Sequence, residues 1–129
     1  MVNRIALDTN AAIAFINGSL DLAKALSEYD DLVVPLPVVG ELYFGAVNSS
    51  LAEKNLLEVN KFLKRVSVSF PDEETCMEYA NTRFELRKKG KPIPENDIWI
   101  ASVSRYHKLP IMTNDGHFKH VRGLKVVNF

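Results

Sequence analysis

The stretch Arg4-Ile5-Ala6-Leu7-Asp8-Thr9-Asn10 decides how the rest of the chain is read. Ile5, Ala6 and Leu7 form a short apolar run of strand type, and the polar Asp-Thr-Asn behind it marks a turn out of the strand into a helix. A carboxylate at such a switch stands where open parallel sheets place their ligand sites. Outward from there, apolar runs rich in Val and Ile, bounded by Pro, Asn or Asp, alternate with segments of helical period. That βαβα order predicts an α/β fold, a short and mostly parallel sheet covered by helices on both faces. The expected strands are residues 4–7, 32–34, 66–69, 111–113 and 125–127.

Helix signals lie between them. Leu56, Val59, Leu63 and Val66 recur at helical spacing after Ser50-Leu51-Ala52-Glu53, which has the form of a capping box. Asp72, behind Pro71, is placed to cap a second helix that runs to Lys88-Lys89-Gly90 and turns Cys76, Ala80 and Phe84 inward. Lys91-Pro92-Ile93-Pro94 reads as a loop. A third helix starts near Asn96, carries Ile98, Trp99, Ala101, Ser102 and Arg105, and is ended by His107 and Pro110. With no repeat, low-complexity tract or linker, residues 1–129 are expected to form one domain.

Composition agrees with that size of unit: 129 residues, 47% hydrophobic and 25% charged, lie in the range of one compact domain. The lone Cys76 has no partner for a disulfide and no zinc-ligand spacing around it, which suits a reducing, cytoplasmic setting. The apolar run over residues 5–16 is interrupted by Asp8 and Asn10 and lacks a small-residue cleavage site. No stretch is long enough to span a bilayer, so no membrane role is expected. Sixteen basic residues balance sixteen acidic ones, so nucleic acid would have to be held by a local patch rather than by bulk charge.

The acids carry the chemistry. Asp8 closes the first strand, Asp115 follows the strand at 111–113, Asp97 lies at a helix N-terminus, and Glu41 lies in the first turns of a helix starting near Pro37. All four can meet at the carboxyl edge of one sheet. Each also has an ordinary reading. Asp97 can cap a helix, worth about 0.5–1 kcal/mol; Asn10 can be an N-cap; Asp115 in Thr-Asn-Asp-Gly is common turn chemistry. Glu41 is harder to dismiss, because Val38, Val39, Leu42, Tyr43 and Phe44 surround it and a carboxylate in apolar company needs a partner or a metal.

Four motifs in order resemble those of the PIN-domain family, particularly its VapC-like toxin branch. They are Ala6-Leu7-Asp8-Thr9-Asn10, Val38-Val39-Gly40-Glu41-Leu42-Tyr43-Phe44-Gly45, Pro94-Glu95-Asn96-Asp97-Ile98-Trp99-Ile100-Ala101 and Ile111-Met112-Thr113-Asn114-Asp115-Gly116-His117-Phe118. The resemblance implies a ribonuclease in which Asp8, Glu41, Asp97 and Asp115 bind Mg²⁺ or Mn²⁺. Asn10 and Thr113 match accessory polar positions, and Asn114 is a further candidate in the fourth motif. It also implies an RNA substrate, a cognate antitoxin protein and a homodimer, for which residues 42–47 offer apolar side chains beyond one helix face. Hard dications held by few carboxylates suit phosphate substrates, and without metal such acids repel one another and at least one should have a raised pKa.

Arg83, Arg87, Lys88, Lys89 and Lys91 precede Asp97 and are candidates to guide an RNA backbone, or else a solvated helix end complementing its dipole. Lys119, Arg122 and Lys125 form a second, weaker patch. His107, His117 and His120 lack paired ligand spacing and receive no catalytic role. Phe62, Tyr79, Phe84 and Trp99 read as core rather than as a stacking platform. The rival function is a PIN-like module that binds RNA or protein without cutting. An aspartate phosphotransfer domain is disfavoured by the absence of an Asp-x-Asp pair at Asp8 and of a lysine in the last strand motif.

Overall fold

The computed structural model describes residues 2–129. The central strand β1 (Arg4–Leu7) pairs in parallel with β2 (Asp31–Pro35) on one side and β4 (Ile111–Met112) on the other. Two further strands, β3 (Ser67–Ser69) and β5 (Val126–Val127), complete a five-stranded parallel sheet of order β3-β2-β1-β4-β5. Ile5, Ala6 and Leu7 are wholly buried, as a strand covered on both faces requires.

Helices α1 (Thr9–Ile16) and α2 (Leu20–Leu26) connect β1 to β2, and α3 (Leu36–Val47) and α4 (Ala52–Leu63) connect β2 to β3. The long α5 (Glu73–Lys89) and α6 (Glu95–Tyr106) then return the chain to β4, and a 3₁₀ turn (Gly116–His120) precedes β5. The first two crossovers step one way across the sheet and the return steps the other. Right-handed connections therefore place α1–α4 and α5–α6 on opposite faces. Strand order reverses between β1 and β4, so the carboxyl ends of these neighbours open a crevice at the switch point. Among the described residues, no helix is long and apolar enough to cross a membrane.

The expected strands are all present, within one residue at either end. Three local expectations are corrected. The capping box does not form: α4 starts behind Leu51 with no side chain capping it. The nearby Ser49 hydroxyl is engaged elsewhere, donating to the Ala46 carbonyl at the end of α3 and accepting from Asn55 Nδ2. Nor does Asn10 cap α1, because Asp8 does.

The third correction concerns α5. Asp72 caps it as expected, and Gly90 ends it in the left-handed region at φ 69°. Its inner face, however, presents Thr75, Thr82 and Leu86, whereas Cys76, Ala80 and Phe84 are exposed. Thr75 is satisfied by the capping Asp72 carboxylate, and Thr82 by Arg105 of α6, which reaches inward. Arg105 donates to Glu85 at 3.0 Å, to Thr82 at 2.9 Å, to the Arg122 carbonyl at 3.0 Å, and also to Glu78. Phe62 is core, and Tyr79 stacks on Trp99 at 4.0 Å.

Candidate active site

Asp8 is fixed by the way β1 gives out. Its backbone is still extended, so its side chain caps α1, with Oδ1 accepting from the Ala11 amide at 2.8 Å. Oδ2 accepts from the Thr113 hydroxyl, which in turn accepts the Asp115 amide at 2.9 Å. Thr113 thus ties the ends of β1 and β4 together. Asp8 is only 3% exposed. Burial pushes its carboxyl above the ordinary range, the bonds from Thr113 and Ala11 pull it back, and the charges of Asp115 and Asp97 add to the rise.

Asp97 lies in the first turn of α6, behind Pro94, and Asp115 caps the 3₁₀ turn by accepting the His117 amide at 2.9 Å. The His117 ring sits between them, with Nδ1 2.9 Å from Asp97 Oδ2 and 3.1 Å from Asp115 Oδ1. One ligand atom from each of these three residues lies within 4.8 Å of the others. Burial raises the Asp97 carboxyl, the His117 hydrogen bond opposes that, and the charges of Asp115 and Glu41 raise it further. Glu41 reaches in from α3, its Oε1 accepting from the Thr9 hydroxyl at 2.7 Å. Asp8, Glu41, Asp97, Asp115 and His117 line one cleft of about 540 Å³ at the switch point.

Residues 5–124 match the family model described as PIN domain. The chain belongs to the PIN-domain family. Within it the chain is VapC-like. It is 32% identical over 126 residues to Ribonuclease VapC2 of Haemophilus influenzae, covering 95% of this chain and 96% of that protein. It is 34% identical over 99 residues to Ribonuclease VapC1 of the same species, covering 74% of each. Among solved structures, VapBC2 from Rickettsia felis bound to a promoter DNA fragment superposes with a TM-score of 0.88 at 27% identity, covering 97% of this chain and 98% of that one.

In this PIN domain the expected acids come together as their strand and helix positions required, and Asp8 and Asp97 are raised by burial and by the neighbouring carboxylates. Asn10 lines the cleft and Thr113 is buried behind it. Asn114 does not join them. Its amide donates to the Phe129 carbonyl at 2.8 Å and its Oδ1 accepts the Phe129 amide at 2.9 Å, so it holds the chain end instead. His117 is the residue the sequence reading passed over, since its partners lie on α6 and at Asp115, and no ligand spacing along one helix announces it.

The basic candidates divide. Arg83 is engaged with Tyr79 at 2.9 Å and lies 3.8 Å from Glu95, whereas Arg87, Lys88 and Lys91 are exposed and Lys89 donates to the His120 carbonyl at 2.8 Å. Oxygen donors with one imidazole suit a hard or borderline dication. A cation there also relieves the charge that burial and repulsion make costly on Asp8 and Asp97.

Proposed function

We propose that this cleft is the active site of a divalent-metal-dependent endoribonuclease, the toxin of a toxin–antitoxin pair. The observation that carries the reading is the convergence of Asp8, Glu41, Asp97 and Asp115 on one crevice, with two of them pushed toward protonation. Asp97 and Asp115, with Asp8 beneath them, would hold Mg²⁺ or Mn²⁺, and Glu41 would complete the set from the opposite wall. When bound, the ion supplies positive charge to the phosphoryl oxygens and lowers the pKa of the attacking water.

The remaining work falls to the chain. Thr113 and the Ala11 amide hold Asp8 in one orientation, so its charge faces the same point in every turnover. Thr9 fixes Glu41 through Oε1, leaving Oε2 to take a proton from the water. His117 orients Asp97 against Asp115. A non-cutting module would have no use for these repelling acids, whose burial costs stability. A phosphotransfer domain would need a second acid beside Asp8 in Asp8-Thr9-Asn10 and a lysine behind the strand Ile111–Met112, and Asn10 and Thr113-Asn114-Asp115 stand in those places.

VapC-type relatives and the VapBC2 assembly support a cognate antitoxin partner. Phe44 and Val47, 68% and 63% exposed on α3, support a homodimer through that face. The test is cleavage of mixed RNA by the wild type with Mg²⁺ or with EDTA, beside Asp97→Ala. Cutting that needs the metal and is lost in the variant supports the reading, and equal cutting in all three sinks it.

A further inference from the structure

A second groove, of about 580 Å³, lies between the C-terminal turns of α5 and the 3₁₀ turn, and Phe84, Lys88, Lys89, Lys119 and His120 are among its lining. Two patches separated in the sequence, one on α5 and one after Asp115, meet here. The Lys89 ammonium donates to the His120 carbonyl at 2.8 Å and pins the two elements together. Lys88, Lys89 and Lys119 stand together along this lining, and burial and the charges of nearby lysines hold His120 below its ordinary range. The acid in the groove, Glu85, is engaged by Arg105 at 3.0 Å and Arg122 at 3.4 Å, so it does not neutralise the lysines.

Phe84 has no place in the core. It is 60% exposed, and the Lys88 ammonium stands 5.5 Å from its ring centroid. An exposed ring set among lysines is the combination that binds single strands, because any unpaired base can stack while the cations take its phosphates. The acidic cleft needs such help. Asp8, Glu41, Glu95, Asp97 and Asp115 all line it, and a chain of zero net charge has no bulk attraction for a polyanion.

We propose that this groove is an exosite for single-stranded RNA, in which Lys88, Lys89 and Lys119 hold the backbone and Phe84 stacks on a base. The proposal rests on the nuclease reading only for the kind of nucleic acid. One short connection leads from groove to cleft: the 3₁₀ turn places His117 in the cleft and His120 in the groove.

The test is fluorescence anisotropy of a labelled 20-nucleotide RNA, single-stranded or annealed to its complement, in EDTA over a salt series, with Lys24→Ala on α2 as baseline. Lys88→Ala/Lys119→Ala is expected to weaken single-strand binding about tenfold and to reduce the slope of log affinity against log salt by about 1.4, at about 0.7 for each lost phosphate contact. Phe84→Ala is expected to weaken it about tenfold with the slope unchanged, and to leave duplex binding unchanged. Affinities and slopes equal to the baseline, or a Phe84→Ala loss as large on the duplex, would overturn the exosite. Because binding is read without cleavage, a wild type that shows these signatures yet cuts no RNA refutes the nuclease reading and leaves the exosite standing.

Discussion

Asp97→Asn removes together the two costs, burial and like-charge repulsion, that the Asp97 carboxylate places on the fold. The Asp97 side chain is 18% exposed, its carboxyl is raised by burial and by Asp115 and Glu41, and only His117 opposes the rise. A raised folded-state value means that folding favours the protonated form. That contribution is complete below the unfolded value and is lost as pH rises through the folded one, so at pH 7 the wild type bears the cost. The amide removes the charge and can still accept from His117. Relief of this kind is worth about 0.5–2 kcal/mol, and at about 4 °C per kcal/mol for a domain of this size the metal-free Tm should rise by about 2–8 °C. Thermal unfolding in EDTA at low salt, from the carboxylate range up to neutral pH, reads it directly. The stability of the variant relative to wild type should rise as pH rises through the carboxylate range, because Asp72 and Glu85, whose values are lowered, act alike in both. Mg²⁺ at ten times its Kd should then add about 1.4 kcal/mol to the wild type and much less to the variant. A variant less stable than wild type in EDTA, or one stabilised as strongly by Mg²⁺, would refute the reasoning.

Thr113→Val should cost about 1–3 kcal/mol in urea unfolding, because it strips a hydrogen bond from the buried Asp8 and leaves the Asp115 amide without its acceptor. Wild-type stability in that variant would mean the link between β1 and β4 carries nothing. Asn114→Ala should cost about 0.5–2 kcal/mol through release of Phe129, with the cleavage rate within a factor of two of wild type. A rate loss of a hundredfold would return Asn114 to the metal site. Phe44→Glu should convert a dimer to a monomer by light scattering with no loss of helix signal, and a wild type that is already monomeric at working concentration argues against that face.

Asp8 was legible in the sequence because two independent patterns, the end of an apolar run and the start of a helix, coincide on one residue. Asp97 and Glu41 were legible for similar reasons: Pro94 and the change of period mark where α6 begins, and Glu41 lies in an apolar stretch that makes a lone carboxylate conspicuous. The inner face of α5 was not legible. Periodicity scores apolar side chains, whereas Thr82 turns inward to a partner on a different helix, Arg105, and Thr75 is satisfied by the Asp72 carboxylate that caps its own helix. The failure at Ser50 has the same root, since a cap motif cannot reveal that Ser49 and Asn55 close the α3–α4 turn instead. Helix α2, over Leu20–Leu26, went unmarked, although Ser19 caps it by accepting from the Leu22 amide. His117 and the groove at His120 exist only once α5, α6 and the 3₁₀ turn are brought together.

The central claim is that the charge of Asp8, and not merely its capping of α1, drives RNA cleavage. Asp8→Asn keeps an oxygen for the Ala11 amide and an amide for Thr113, so the fold should persist while the charge is gone. The decisive measurement is the single-turnover cleavage rate of this variant at saturating Mg²⁺, beside a wild type shown by circular dichroism to have the same fold. The account predicts a loss of at least about 100-fold, and a rate within threefold of wild type would contradict it.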